Sequence, residues 1–316
     1  MIHNISVVFI SIFLESLPFL LLGSIISAAI EHFVSDETFE KIIPKNIILA
    51  TLTGIFMGFF IPACDCAVIP ISKRLIKKKV PINVAISFML SSPIINPVVL
   101  LSTYYAFYKV DKQIFFLRLI FGVIISLIIG IIMGILFKDV IKNNKEEKCS
   151  CNHHHHHAKN ENEKCDKDFE ELKKYTKEES TLTHIIKHTA NDLFEVVKYL
   201  MFGALIASIC QVVMPRELVL VFSNNKILSI IVLMIFAYLI SLCSTSDSFV
   251  GKSLLSTFGR TSILAYLLLG PMIDIKNTIV LLGNYKSKFV YTLISLIFSI
   301  IFILCVLVVI LWKKDF

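Results

Sequence analysis

The sequence predicts an all-α, polytopic membrane protein with about eight transmembrane helices, arranged as two parallel four-helix repeats with broken helices. The first observation is composition: 56% of the 316 residues are hydrophobic, above the roughly 45–50% of a soluble domain. The second is length, because several apolar runs reach the ~20 residues that a bilayer-spanning helix needs. The third is an internal repeat of three features in the same order.

Eight segments are long and apolar enough to be predicted as spans. They lie at approximately residues 5–30, 47–71, 82–108, 114–137, 192–214, 226–243, 261–283 and 289–312. The third contains SSPIINP and the seventh GPMID. Proline removes a backbone hydrogen bond from a helix, so we expect both of these helices to be broken near the middle of the membrane.

The two halves of the chain repeat at a nearly constant offset. ESLPFLLLG, from Glu15, matches EVVKYLMFG at an offset of 180, and Cys64 matches Cys243 at 179. Pro93-x-x-Asn96 matches Pro271-x-x-Asp274 at 178. Four spans per half predict parallel repeats, and transporters often bind their substrate between such repeats. The predicted domains are a first transmembrane repeat (1–137), a polar linker (138–190) and a second transmembrane repeat (191–316).

Basic residues predict the orientation. A cluster follows the second span, the charged linker follows the fourth, and two lysines follow the eighth. The cluster comprises Lys73, Arg74, Lys77, Lys78 and Lys79, and the lysines are Lys313 and Lys314. Since cytoplasmic loops carry an excess of Lys and Arg, the sequence predicts a multi-pass plasma-membrane protein with both termini in the cytoplasm. The net charge of +7 then reflects topology and does not indicate a nucleic-acid partner.

The stretch Cys64-Asp65-Cys66 lies between Pro62 and Pro70 inside an apolar run. Residues i and i+2 of a regular helix point in nearly opposite directions, so both thiols reach one ligand only where the helix is unwound. Thiolates favour soft metals, and an intramembrane aspartate needs a cavity or a partner. The alternative is that the cysteines are small buried hydrophobic residues.

The matching positions of the repeat supply more polar candidates. Cys243 and Asp247 in CSTSDSFVGKS are four residues apart and share a helix face, and a helix N-cap is the alternative reading. Asn96 and Asp274 follow the proline-containing breaks, where unpaired backbone groups are tolerated only beside protein or a water-filled cavity. A simple proline kink is the alternative there. These residues, with Cys64, Asp65 and Cys66, form the predicted substrate site.

Glu15 and Glu195 are repeat-related acids within apolar runs. An intramembrane carboxylate suggests proton coupling, and a structural hydrogen bond between the halves is the alternative. Gly23 and Gly203 are better explained by close helix packing.

The linker contains CSCNHHHHH, whose thiols and imidazoles suit zinc or copper. The candidate metal ligands are Cys149, Cys151, His153, His154, His155, His156 and His157. Low-complexity drift is the alternative explanation. No other cofactor is expected. A cytoplasmic protein that donates metal to this loop is a candidate partner, together with a small ion or metalloid substrate and the lipid bilayer.

Enzyme motifs are absent from the sequence: it contains no G-x-x-x-x-G-K-[ST], no H-E-x-x-H and no G-x-S-x-G. ATP hydrolysis on this chain is therefore not expected, and we predict a protein that is not an enzyme.

Two long motifs resemble the YraQ-type predicted permeases, which include the ArsP organoarsenical exporters. They are IPACDCAVIPISKRLIKKKVP with ISFMLSSPIINPVVLLSTYYAF, and SLCSTSDSFVGKSLLSTFG with LAYLLLGPMIDIKN. The family usually has C-S-C-G in the first motif and C-S-E-x-D-A-F in the second, whereas Asp65, Ala67 and Thr245 differ here. Members with a Cys/His-rich middle loop resemble copper or zinc exporters. The resemblance implies an eight-helix permease.

The first hypothesis is therefore efflux of a soft metal or metalloid, such as copper, zinc or a trivalent arsenical, by alternating access. A second is a permease for an organic or sulfur-containing solute, with structural cysteines. A third is a membrane metal sensor or assembly factor that transports nothing.

Overall fold

The computed structural model describes residues 2–33, 43–61, 63–137, 181–213 and 225–311. These residues form twelve α-helices and contain no strand, which confirms the predicted all-α class. The helices are α1 (Ile2–Phe33), α2 (Ile47–Phe60), α3 (Asp65–Lys77), α4 (Ile82–Ile95), α5 (Pro97–Phe107), α6 (Lys112–Leu136), α7 (Thr181–Val213), α8 (Lys226–Ile240), α9 (Ser244–Leu254), α10 (Arg260–Met272), α11 (Ile275–Asn284) and α12 (Ser287–Leu311).

Six segments within the described ranges are long and apolar enough to cross a membrane. They are α1, α4 with α5, α6, α7, α10 with α11, and α12. The expected count of eight is not confirmed, because α2 and α8 contain only 14 and 15 residues. At about 1.5 Å per residue, neither reaches across a hydrocarbon core of about 30 Å.

The first half contains a helical hairpin instead of an extra span. Helix α2 runs parallel to α4, since the Ser87 hydroxyl donates to the Thr51 carbonyl at 3.0 Å and the Ser92 hydroxyl to the Ile61 carbonyl at 3.2 Å. Helix α3 runs the opposite way, because its last turn leads through Lys79 directly into α4. The pair α2–α3 therefore enters and leaves the bundle at the same end.

The second half contains the matching hairpin, formed by α8 and α9. The Ser241 hydroxyl, just after α8, donates to the Asp274 carboxylate, just after α10, at 2.7 Å. Helices α8 and α10 therefore end at the same level. Helix α9 turns back: its early residue Asp247 lies beside Gly270 near the end of α10, whereas its later residue Gly251 packs against Ile263, nearer the start of α10.

The two halves run in opposite directions. The start of α6 meets the start of α10 through an ion pair of Asp111 and Arg260 at 2.9 Å. The end of α3 meets the end of α11 through Lys73 and Asn284 at 2.9 Å. Consequently α4–α5 and α10–α11 are antiparallel, and the structure corrects the expectation of parallel repeats. Three crossings and one hairpin per half make the repeats inverted, the other arrangement common among transporters.

The bundle therefore has two distinct ends. The basic end carries the turn from Lys77 to Pro81, and the Asp111 end carries the turn between α5 and α6. Phe137, just after α6, contacts Phe289 near the start of α12 at a ring distance of 5.0 Å, so α12 starts at the basic end and runs away from it. Helix α7 also starts at the basic end, because its Tyr199 lies against Gly283 near the end of α11.

Helix α1 packs against α7, with Ile12 buried against Ala204 and Ala207. Ile12 lies beside Cys64, whereas Gly23 lies against Ala67, further along α3 toward the basic end, so α1 runs toward that end, antiparallel to α7. The start of α1 and the end of α12 therefore lie at the Asp111 end, opposite the points where residues 138–180 attach. This differs from the prediction that both termini share the cytoplasmic side with the linker.

Two glycines explain the close approach of α1 and α7 to the centre. A Cβ on Gly23 would lie 2.6 Å from the Ala67 Cβ in α3, and a Cβ on Gly203 would lie 3.0 Å from the Lys276 Cα in α11. Small residues allow helix backbones to approach closely, as the sequence predicted for both positions.

Candidate functional site

The Cys-Asp-Cys motif lies where the α2–α3 hairpin turns. Cys64 is the N-cap of α3 and has an extended backbone, with φ −76° and ψ 168°, whereas Asp65 and Cys66 are already helical. The regular-helix geometry that would point the two thiols apart does not apply to Cys64. Pro62, which the sequence associated with this break, lies outside the described residues.

The turn of the α8–α9 hairpin repeats the arrangement. Cys243 is the N-cap of α9, with φ −71° and ψ 143°, and its Sγ lies 3.4 Å from the Thr245 hydroxyl. Cys64 and Cys243 therefore occupy equivalent positions in the two inverted hairpins, as their offset in the sequence predicted.

The two hairpin turns meet at a small, partly open cavity of about 30 Å³. Its lining includes three thiols and three ionisable side chains, which are those of Cys64, Cys66, Cys243, Glu15, Asp65 and Lys276. A water molecule needs roughly 10–15 Å³ by this measure, so the cavity accommodates a small ion or one or two waters.

Buried charges connect the halves beside this cavity. The Lys276 ammonium lies 3.4 Å from the Asp65 carboxylate and 3.5 Å from the Asp274 carboxylate. The Asn277 side-chain amide also donates to Asp65, at 3.1 Å. All four side chains are buried. One ammonium is shared by two carboxylates, which offsets part of the cost of burying them.

The residues at the two helix breaks serve as N-caps. The Asn96 side chain accepts a hydrogen bond from the Val98 N–H at 3.0 Å, and Asp274 accepts one from the Asn277 N–H at 2.6 Å. Each satisfies a backbone donor that the break leaves free. Asn96 is buried but does not line the cavity, so its observed contact is the structural one.

The remaining predicted site residues do not all lie at the cavity. Glu15 lines the cavity, while Asp247 lies one turn further along α9 and is absent from the lining. The side chain of Glu195 lies outside the described residues, as do Cys149, Cys151 and His153 to His157.

Within the described ranges, no three His, Cys, Asp or Glu side chains are grouped closely enough to hold a metal ion. The thiols thus share a cavity without forming a closed coordination shell.

The predictions from the sequence did not include the basic residues of the two buried clusters. Lys276 was part of the motif GPMIDIKN but was not identified as a site residue, and Arg118, fully buried in α6, was not noticed. Both are charged residues within apolar segments, which is the signal that marks intramembrane functional positions.

Two inverted hairpins that meet at a polar cavity between two repeats are an arrangement typical of polytopic membrane transporters. The chain belongs to the ArsP_1 family, described as "Predicted permease", whose model matches residues 1–310. The resemblance predicted from the motifs is thereby confirmed at the level of the family.

Two bacterial relatives cover nearly the whole chain. One, from Streptococcus mutans, is named "Putative two-component membrane permease complex subunit" and is 36% identical over 301 residues, 95% of this chain and 93% of the relative. The other, "UPF0718 protein YcgR" of Bacillus subtilis, is 38% identical over 301 residues, 93% of each chain. No solved structure matches the chain.

Proposed function

We propose that this permease exports a soft metal or metalloid ion by alternating access. The observation that carries the proposal is the convergence of Cys64, Cys66 and Cys243 on one cavity at the turns of two inverted hairpins. Thiolate ligands favour Cu(I), Zn(II) and similar thiophilic centres. A central site between inverted repeats is the position where many transporters bind their cargo.

Cavity size supports an ion over the alternative of an organic or sulfur-containing solute. A cavity of about 30 Å³ favours a small cargo, such as a metal ion or a small metalloid species, over a bulky organic one. The open arrangement of the thiols suits transport, because a cargo that must leave again is held less tightly than a structural metal. Asp65 lies in the first turn of α3, where a negative charge is favoured by the helix dipole.

Orientation supports the direction of transport. If the basic end faces the cytoplasm, as the excess of lysines there indicates, the linker with Cys149, Cys151 and the histidines is cytoplasmic as well. We propose that this segment collects metal and delivers it to the central cavity. The name of the Streptococcus mutans relative supports a further proposal, that this chain also works with a second membrane subunit.

The test is a paired substitution of the hairpin thiols. Cells that express C64S/C66S are expected to become as sensitive to the exported agent as cells without the protein, since Ser binds soft ions far more weakly than Cys. The matched control is Cys210→Ser in α7, a partly buried cysteine that does not line the cavity, and it should keep resistance. Growth is measured across concentrations of Cu(I), Zn(II), arsenite and methylarsenite, with membrane levels of each variant quantified.

Full resistance in C64S/C66S cells, at equal membrane level, would eliminate the thiol role. The organic-solute alternative gains support instead if the wild-type protein confers resistance to none of the four agents. A sensor without transport is recognised separately by deletion of residues 149–157, which should abolish the function of a sensor, whereas an exporter should keep transport with altered metal affinity.

A further inference from the structure

A second buried polar cluster lies outside the thiol cavity. Asp247 is one helical turn beyond Cys243 in α9, and its N–H donates to the Cys243 carbonyl at 2.9 Å. Its side chain is buried, and the Tyr266 hydroxyl donates to Oδ1 at 2.9 Å. Among the described residues, Oδ2 has no hydrogen-bond partner.

The cation that faces this carboxylate is Arg118 of α6, which is completely buried. Its Nη1 donates to the Thr103 hydroxyl at 2.6 Å and to the Ser248 hydroxyl at 2.9 Å. Its Nε and Nη2 find no partner in the described part of the chain. Arg118 and Asp247 interact electrostatically but form no direct ion pair in this conformation.

Such a deficit is unusual, because buried polar groups in proteins are nearly always hydrogen-bonded. Here two free donors and one free acceptor are buried in the same cluster. An ion pair between the Arg118 guanidinium and the Asp247 carboxylate would satisfy groups on both sides. The cluster therefore has two arrangements available: a paired one with a charged carboxylate, and the separated one observed, which suits a protonated carboxyl group.

The cluster joins the two halves of the molecule. Thr103 and Arg118 belong to the first half, and Asp247, Ser248 and Tyr266 belong to the second. Moreover, α9 carries Cys243 at its N-cap and Asp247 in its next turn. Any movement of α9 that forms or breaks the Arg118–Asp247 pair also moves a thiol of the cavity.

The position along the bundle is also informative. Helix α9 runs from the cavity toward the Asp111 end, where Arg260 meets Asp111. The cluster thus lies between the thiols and the end opposite the basic cluster. With the basic end in the cytoplasm, this is the side from which protons enter when they drive export.

We propose that Asp247 carries the proton that drives transport, with Arg118 as the counter-charge that displaces it. The proposal rests on the proposed export function. A hydronium ion from the Asp111 end transfers its proton to the Asp247 carboxylate, which gives a neutral carboxyl group and water and separates it from Arg118. When the ion pair reforms, the proton passes to water on the basic side, and Arg118 again neutralises the carboxylate.

The groups that surround Asp247 are consistent with this role. Tyr266 of α10 and Arg118 of α6 are its ionisable neighbours, and α5 contributes the hydroxyls of Ser102 and Thr103. Asp65 and Asp274 act on it only at longer range. Glu15, the earlier candidate for proton coupling, is exposed and lines the thiol cavity together with Lys276, so it does not belong to the Arg118–Asp247 cluster.

The test separates proton coupling from cargo binding. Purified protein in proteoliposomes is assayed with arsenite for exchange without a proton gradient and for accumulation driven by an imposed gradient. Asp247→Asn should keep exchange within about twofold of wild type and lose about tenfold or more of the driven accumulation. The matched control is Asp111→Asn, a buried carboxylate outside both clusters, which should retain both activities.

Accumulation by Asp247→Asn at the wild-type level would overturn the proposal, and so would a loss of exchange together with accumulation. Loss of accumulation in Glu15→Gln, with Asp247→Asn unaffected, would transfer the role to Glu15. Tyr266→Phe, which keeps the carboxyl group but removes its hydrogen bond, should shift the pH profile of driven accumulation without abolishing it.

A second measurement does not depend on the cargo. Infrared difference spectra of the purified protein, recorded during a pH titration, should show a carboxyl band in wild type and Asp111→Asn that is missing in Asp247→Asn. An unchanged band in Asp247→Asn overturns the proposal even if arsenite is not transported. If Asp247→Asn lacks the band and the protein transports no arsenite, the assignment of arsenite as the cargo is wrong. The assignment of the proton site then stands.

Discussion

Lys276 is the residue that sets the charge of the central cavity. Its ammonium is held between Asp65, from the first half, and Asp274, which caps α11. Without Lys276, Asp65 in the cavity wall and Asp274 behind it would both be uncompensated. With it, the carboxylates are partly neutralised. If the cavity binds the proposed metal cargo, this neutralisation favours soft ions held by sulfur over hard divalent cations, which need free carboxylates.

Replacement of Lys276 by Met should destabilise the protein strongly. Removal of one partner from a buried charge cluster typically costs about 3–5 kcal/mol, so the apparent Tm in detergent should fall. The control Lys288→Met changes an exposed lysine of α12 and should leave Tm nearly unchanged. Addition of Asp65→Asn to Lys276→Met should recover part of the loss, because one fewer charge is left unpaired. Equal Tm values for Lys276→Met and Lys288→Met would contradict this role.

Among individual residues, the sequence identified the cysteines and acidic residues of the site but not the basic residues that lie beside them. Cys64, Asp65, Cys66 and Cys243 were recognisable because soft ligands and acids are rare inside apolar runs. Lys276 was missed because a lysine after a proline-containing break resembles an ordinary helix flank. Its contact with Asp65, 211 positions earlier, depends on tertiary packing that local pattern does not reveal.

The decisive elements are the two helical hairpins. Helix α2 lies so close to α4 that a Cβ on Gly58 would be 2.9 Å from the Ser92 backbone nitrogen. Ser92 in turn donates to the Ile61 carbonyl near the hairpin turn, at 3.2 Å. This packing fixes the level at which α3 begins, and with it the position of Cys64.

Gly58→Val should therefore disrupt the first hairpin. The added side chain meets backbone, which cannot move aside as a flexible side chain can, and overpacking of this kind costs about 1–3 kcal/mol. Gly259→Ala is the control, since nothing lies within 4 Å of its added Cβ. We expect a lower Tm and lower transport for Gly58→Val alone. A normal Tm for this variant would show that α2 is free to move away from α4.

The sequence predicted where the helices break but not that the chain turns back. The breaks at SSPIINP and GPMID are found at Asn96 and at Ile273–Asp274. By contrast, the predicted span at 47–71 combined α2, the turn and the start of α3. A hydropathy profile reports only the length of an apolar segment. The profile of this segment is the same whether the chain continues across the membrane or reverses at Cys64.

For the whole molecule, the reversal of the chain at each hairpin changes the symmetry that relates the two halves. The repeat offset of 178–180 residues was recognised correctly, but four spans per half implied parallel repeats, whereas three crossings and a hairpin give inverted ones. The orientation of the ends follows from the contacts of Asp111 with Arg260 and of Lys73 with Asn284. No local sequence signal encodes either contact.

Labelling of single cysteines tests this topology. In a variant without native cysteines, His3→Cys and Lys109→Cys should react with a membrane-impermeant maleimide from the same side. Lys79→Cys should react only from the opposite side, because it lies in the turn at the basic end. Labelling of His3→Cys and Lys79→Cys from one side would restore the parallel arrangement.

The odd number of crossings in each half has a consequence for how this chain enters the membrane. Two halves of similar design must be inserted upside down relative to each other, so they need opposite charge bias in their flanking loops. As two separate polypeptides, the halves would have to insert in opposite orientations before they could assemble. The join through residues 138–180, attached to both halves at the basic end, guarantees one copy of each orientation in every molecule.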